Sequence, residues 1–360
     1  REQQSGHGKT RFGDIGRGNV QTAPHSIVLS TPADRGSHRV RTDTSAADKA
    51  AAIAQVARRA LESGEHMGLA KAWESISMLP AEHAPALAQA AEKAVAFLAG
   101  RVLDDAWVSK HQDVGYYFKA PMVFLNAGRE EDARKVLGVA VRQAAAAGVR
   151  SSNNIYSDLY PQYPWLWLCW AACDLGLKDV ANQCFRSITT YAHPLLGTGL
   201  AVEPYCRGAD HEGSFFATAV LAKAALLCRQ VVIAKDAGDS LVRAVEANQA
   251  AMQAGKFRLR WGWEDGFIED ASPLHCVSVR DPAPQLYFML GFPAVVLLEL
   301  SAMGISKAKE YSAAAVVLLD FLKRCSHVSK STSAHQVACA AAMCGNKGMS
   351  MAIIQHPLSL

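Results

Sequence analysis

Apolar positions along this chain fall into two kinds of helical segment that alternate. "YYFKAPMVFLNAG" (116–128) leads into "REEDARKVLGVAVRQAAAAG", and "YPWLWLCWAACDLG" (163–176) into "LKDVANQCFRSITTY". "GSFFATAVLAKAALLC" (213–228) leads into "AGDSLVRAVEANQAAMQAG", and "QLYFMLGFPAVVLLELSAMG" (285–304) into "ISKAKEYSAAAVVLLDFLKRC". The first kind opens on aromatics and is apolar all round, so it must be buried on every side; the second carries Lys, Arg, Asp and Glu and has one wet face. Gly128, Gly176 and Gly304 between them fit helix C-caps and tight reversals. Starts at 116, 163, 215, 287 and 335 lie about fifty residues apart, with one longer interval, which is a structural repeat.

The same periodicity predicts helices at 48–63, at 66–78 before Pro80, and at 82–99 before Gly100. "SAHQVACAAAMCG" (333–345) begins a last unit with no partner after it, and the helix at 48–63 is free to supply one. That makes six inner–outer pairs. Residues 1–45 are rich in Gly, Ser, Thr and Arg and are expected to form a flexible arm, or a strap anchored by Ile27, Val28 and Leu29. Residues 46–360 then form a single domain. In an open solenoid both helix types stay partly amphipathic, so the nearly uncharged inner type points to closure into a ring.

Alternating inner and outer helices with aromatics opening the inner ones resemble the α/α-toroid superfold. Terpenoid cyclases, protein prenyltransferase subunits and six-hairpin glycosidases and lyases share it. The resemblance covers residues 46–345 at the level of architecture, and "DPAPQLYFMLGFPAVVLLELSAMG" followed by "LLDFLKRC" is similar to small bacterial toroid proteins. It implies an all-α (α/α)6 toroid with a funnel mouth at the N-terminal ends of the inner helices. Signatures of particular activities are missing: "VLDDAW" (102–107) falls short of the DxDD acid motif of terpene cyclases. The zinc set of prenyltransferases and the pattern of lanthionine cyclases are absent too. The resemblance therefore implies a fold and leaves the reaction open.

Helix N-termini aimed at one hollow favour anions and developing negative charge. Polar residues do gather before the inner helices: Tyr116, Tyr117 and Lys119; Asp158, Tyr160 and Tyr163; Arg207, Asp210, His211 and Glu212; Asp281, Gln285 and Tyr287; Ser331, Ser333 and His335. Tyrosines can act as acids, His211 beside a carboxylate as a general base, and Lys119 in an apolar helix needs an anion or a wet cavity. Each has a plainer reading: aromatics filling the wide end of a barrel, Asp210 and Glu212 as cap and dipole partner of a helix, His335 as a satisfied core histidine. "KFRLRWGWEDGF" alternates Phe257, Leu259 and Trp261 against Arg258 and Arg260, which predicts a β-hairpin near 256–269. It would form a lid whose arginines reach a carboxylate or phosphate, or a flap anchored by Trp261 and Trp263.

Composition narrows the function. The net charge is +4, and residues 1–44 hold seven basic against four acidic side chains, so the rest is near neutral and no nucleic-acid footprint is expected. No apolar run is long enough to span a membrane, and the N-terminal stretch lacks the apolar core of a secretory signal. The nine cysteines are scattered, with no CxxC pair, which suggests reduced thiols and an intracellular setting, cytoplasmic or organellar. Cys169 and Cys173 are four apart on one helix, but no paired histidines follow, so no metal and no cofactor are expected. "GHGKTRFGDIGRG" (6–18) has a GK[ST] without the strand and helix of a phosphate loop.

The leading expectation is a metal-free acid–base enzyme, a lyase, isomerase or cyclase, acting on a small to mid-sized, partly apolar anionic substrate. Tyr116, Lys119, Asp158, Tyr160, His211 and Tyr287 would move protons or stabilise charge. Tyr117, Tyr163, Arg207, Glu212, Arg260, Trp261, Trp263, Gln285 and His335 would bind substrate. The alternatives are a six-hairpin sugar hydrolase or lyase using Trp165, Trp261, Trp263 and the carboxylates Asp158 and Glu212, and a non-catalytic helical scaffold. Sequence is silent on the oligomeric state.

Overall fold

The computed structural model describes residues 84–102, 114–149, 160–194, 196–201, 203–207, 211–262, 266–268, 275–281, 285–304, 307–331 and 333–355. The expected arm (1–45) and the helices expected at 48–63 and 66–78 lie outside the described residues.

Among the described residues the protein is mostly helical. α1 (Ala84–Ala99) is followed by a 3-10 turn (Val114–Tyr116) and five helix pairs. They are α2 (Ala120–Asn126) with α3 (Glu130–Ala147), α4 (Gln162–Asp174) with α5 (Lys178–Thr189), and α6 (Phe215–Leu227) with α7 (Val231–Ala247). After the short α8 (Gln249–Gln253) come α9 (Phe288–Ala302) with α10 (Ala308–Lys323) and α11 (His335–Met343) with α12 (Lys347–Gln355). Two expectations change here. α11 has its own following partner, α12, because Gly345 reverses the chain at φ 72° and "KGMSMAIIQ" is still helical. The helix at 48–63 is therefore not needed to complete that pair.

The inner helices α2, α4, α6, α9 and α11 pack in chain order, each against the next. Each outer helix lies on its own inner helix, and all but the last, α12, also lie beside the following one, giving two layers. Inner and outer helices differ in burial as the sequence requires: every described position from Phe215 to Ala225 of α6 is buried, while α5 buries only Ala181, Cys184, Phe185 and Ile188. A face that must be covered all round belongs in the inner layer. Close approach is set by small residues. A Cβ on Gly291 of α9 would collide with the Val337 backbone of α11, and one on Gly199 with the Ala217 backbone of α6.

One turn closes the inner helices. Leu177 N donates to Ala172 O at 2.8 Å, Gln230 N to Ala225 O at 2.7 Å and Asn346 N to Ala341 O at 2.8 Å, a six-residue closure that satisfies carbonyls orphaned at the helix end. The left-handed residue of this turn is Gly176 or Gly345, but at the end of α6 it is Arg229, at φ 57°.

The segment between α8 and α9 is strand, as its alternation predicts, but its pairing is not that of one simple hairpin. β2 (Lys256–Arg258) pairs with β5 (Cys276–Ser278), and β3 (Arg260–Gly262) lies between β1 (Gly213–Ser214) and β4 (Gly266–Phe267). Phe257, Leu259 and Trp261 are buried as one face, yet Arg260 on the other face is also only 4% exposed. Its guanidinium lies over the Tyr160 ring at 5.5 Å, and β1, the lead-in to α6, pairs with β3 along its edge. This segment is laced into the core and is not a free flap.

Candidate functional site

The strongest clue comes from where the inner helices fail to be buried. On α4 the half-exposed positions are Tyr163, Trp167, Trp170 and Cys173; on α9, Phe288, Val295 and Glu299; on α11, Gln336, Cys339 and Met343. Spacings of three, four and seven put each set on one stripe of its helix. Side-chain contacts between neighbouring helices join these stripes into one surface.

Its upper layer is aromatic. Phe216 of α6 lies 5.2 Å from the Tyr163 ring, 5.1 Å from Tyr160, 5.2 Å from Phe288 and 5.8 Å from Phe292. Edge and tilted geometries of this kind let ring edges meet ring faces. Lys119, just before α2, places its ammonium 5.7 Å from the Phe118 centroid, 5.4 Å from Tyr163 and 5.1 Å from Trp167. The residue as a whole is exposed, but this end of it sits against three rings. Removal from water lowers its pKa below the ordinary lysine value, and burial pushes the Tyr163 phenol up to about 12.

About 10 Å further down the helix axes, the seven residues from Phe216 to Lys223 or from Phe292 to Glu299 at 1.5 Å each, the stripes carry charge. Lys223 is the one ionisable residue of α6 and Glu299 the one ionisable residue of α9. Lys223 Nζ donates to Glu299 Oε1 at 2.7 Å, with the lysine side chain 3% exposed and the glutamate 14%. Lys223 Nζ also lies 4.4 Å from the Trp170 centroid, and Trp170 stacks on Trp167 at 5.7 Å. Glu299 Oε2 is buried with no hydrogen-bond partner among the described residues. Its charge raises the pKa of Cys339 on α11, after burial the second cause, so the stripe of α11 reaches the same place. Four consecutive inner helices thus present Trp170, Lys223, Glu299 and Cys339 together.

Of the residues singled out in the sequence, the structure brings Lys119, Tyr160 and Tyr163 to this surface. Tyr160 also lies under Arg260, whose guanidinium is 5.5 Å from its ring. Burial raises the Tyr160 pKa while Arg260 pulls it back down. Arg260 Nη1 donates to Glu212 Oε2 at 3.0 Å, and Glu212 is 48% exposed. Arg260 Nε and Nη2 are buried with no acceptor in hydrogen-bond geometry among the described residues, while the guanidinium lies close enough to the Tyr160 phenol to pull its pKa down.

The others lie elsewhere. His211 Nε2 meets the backbone of Cys206, at 2.9 Å from its N and 2.8 Å from its O, and the ring leans on Tyr205, which also touches His193. It staples the loop before α6. The N-cap of α6 is Ser214, whose Oγ accepts from Ala217 N, in place of the expected Asp210, which lies outside the described residues along with Asp158 and Trp263. Gln285 exchanges two hydrogen bonds with the Ser278 backbone and fixes β5. Tyr287 is fully buried, and burial raises its pKa. Trp165 and Trp261 are core residues, and Tyr117 is buried and donates to Gln143. Tyr116 closes the 3-10 turn before Lys119. Arg207 is exposed on the loop, and His335 is exposed at the first turn of α11.

Sequence reading missed Trp167, Trp170, Lys223 and Glu299. The signal was present: a single charge within an otherwise apolar inner helix, the argument that singled out Lys119, applies equally to "FFATAVLAKAALL" and "FMLGFPAVVLLELSA". Lys223 and Glu299 lie about two and three turns deeper than the helix starts where the polar residues gather. No helix among the described residues is long and apolar enough to cross a membrane. Comparison of the chain with protein families, with curated proteins and with solved structures found no match.

Proposed function

We propose that this two-layer array is an (α/α)6 toroid and that the protein is an acid–base enzyme working in its hollow. The substrate class is a small to mid-sized, partly apolar molecule with an anionic group, and the reaction a lyase, isomerase or cyclase step. One observation carries the reading. An aromatic wall joined by Lys119 leads down to the Lys223–Glu299 pair, and four inner helices contribute to it.

The chemistry follows from the groups. Lys119, with its lowered pKa, releases a proton more readily than an ordinary lysine, or as ammonium meets the substrate's anion beside the rings. Tyr163, raised by burial, stays protonated and donates a hydrogen bond to developing negative charge. Glu299 Oε2, which meets no donor among the described residues, is the acceptor at depth. Arg260, whose guanidinium lies over the Tyr160 ring, is read as the anion clamp that the sequence suggests. A sugar-binding reading is favoured only by the half-exposed Trp167–Trp170 stack, since Trp165 and Trp261 are in the core.

The test is to incubate the full chain with a metabolite extract fractionated for carboxylates, sulfates and phosphates, and to follow consumption by mass spectrometry. Expected is conversion of an anionic, partly apolar species to an isomer or elimination product, lost in Lys119→Met and Glu299→Gln. Conversion undiminished in both variants, or depletion of neutral sugars alone, overturns the reading.

A further inference from the structure

Three thiols from two inner helices meet at the opposite ends of those helices. Cys169 and Cys173 lie one turn apart on α4, and Cys228 caps the end of α6. Their sulfurs all lie within 4.8 Å of one another, with Cys169 Sγ and Cys228 Sγ 3.5 Å apart. We propose that Cys169, Cys173 and Cys228 form a site for a soft closed-shell cation, Zn2+ or Cu+, that ties α4 to α6.

Geometry supports it. Metal–thiolate bonds of about 2.3 Å place sulfurs about 3.8 Å apart around a tetrahedral ion and about 4.0 Å apart around a trigonal one. The spacing here needs adjustments below about 1 Å to reach either. Soft sulfur donors select these ions over the hard cations that take oxygen. Cys173 and Cys228 stand at the C-terminal ends of their helices, where the outward carbonyls favour a cation. The Ala181 carbonyl of α5 lies 3.6 Å from Cys169 Sγ and 4.0 Å from Cys228 Sγ. Cys169 is buried while Cys173 and Cys228 are half-buried, which leaves a way in.

The expectation of no metal rested on ligand spacing along the chain, which hides Cys228 behind a whole outer helix and an inner one. A Cys169–Cys228 disulfide is the competing use of these atoms. It would shorten 3.5 Å to about 2.05 Å and consume two thiols.

The reduced, metal-stripped full chain is titrated separately with Zn2+, Cu+ and Co2+ against chromogenic chelators, with thiols counted before and after. Expected is one equivalent per chain, a sulfur-to-cobalt charge-transfer band, and a raised unfolding temperature with whichever of Zn2+ or Cu+ binds more tightly. Cys169→Ser, Cys173→Ser and Cys228→Ser each weaken binding at least tenfold, while Cys206→Ser, on an exposed loop, leaves it unchanged. The wild-type cobalt band reports sulfur ligation even where a variant fails to fold. No binding by the wild type beyond that of the triple serine variant overturns the proposal, as does loss of two thiols to a Cys169–Cys228 disulfide that forms in preference to metal binding. Either failure leaves the acid–base reading standing, because that reading uses none of these cysteines.

Discussion

Lys223 and Glu299 meet at 2.7 Å between two helices that carry no other charge. Burying an ion pair gains little overall, because desolvation offsets attraction, but breaking one leaves a buried charge alone. Lys223→Met is therefore expected to cost about 3 kcal/mol in urea unfolding. The double variant Lys223→Met/Glu299→Leu recovers most of that loss. Equal destabilisation by the single and double changes would show that packing, and not the pair, holds the two helices together.

Lys119 offers a test by pH. Its folded pKa lies below the ordinary lysine value because its ammonium has left water for three rings. Above the folded pKa and below the unfolded one, the unfolded chain holds more protons. The cost of holding the ammonium against the rings is thus fully present at neutral pH and relieved as pH rises through the folded pKa toward 10.5. Reductive 13C-methylation should give a Lys119 resonance that titrates below those of the other lysines. A midpoint at or above theirs refutes the ring-bound placement.

His193 behaves in the same sense at lower pH. Burial and then the charge of His211 lower its pKa below 6.5. As pH falls below 6.5, the unfolded chain takes a proton that the folded loop resists, so stability declines toward acid. In two-dimensional NMR its ring signals should shift at a midpoint below 6.5, and His211→Gln should move that midpoint upward. An unmoved midpoint in that variant means the two rings do not communicate through space.

Arg229 stands in the left-handed position that Gly176 and Gly345 hold in the sister turns. A side chain there costs roughly 1–2 kcal/mol of backbone strain, set against the flexibility glycine adds to the unfolded chain. Arg229→Gly is expected to stabilise by about 0.5–1 kcal/mol, seen as a rise in thermal midpoint. A fall instead would mean that the arginine side chain contributes more than its backbone costs.

Alternation of nearly charge-free and one-sided helices determined by itself that the protein is helical, that it has two layers, and which helices are inner, because a helix apolar on almost every side has nowhere to be but inside. Gly128, Gly176 and Gly304 marked the turns for a local reason, the need for positive φ. The alternation Phe257–Leu259–Trp261 likewise announced a strand. Tertiary structure alone decided the rest. Only the packing of β3 against Tyr160 covers the Arg260 guanidinium, and only the order in which α4, α6 and α9 pack brings Trp170, Lys223 and Glu299 together. Only the meeting of two helix ends places Cys228 against Cys169. Local pattern governs which face a helix buries, whereas a site is made of contacts between residues 50 to 130 positions apart, and chain spacing carries no record of them.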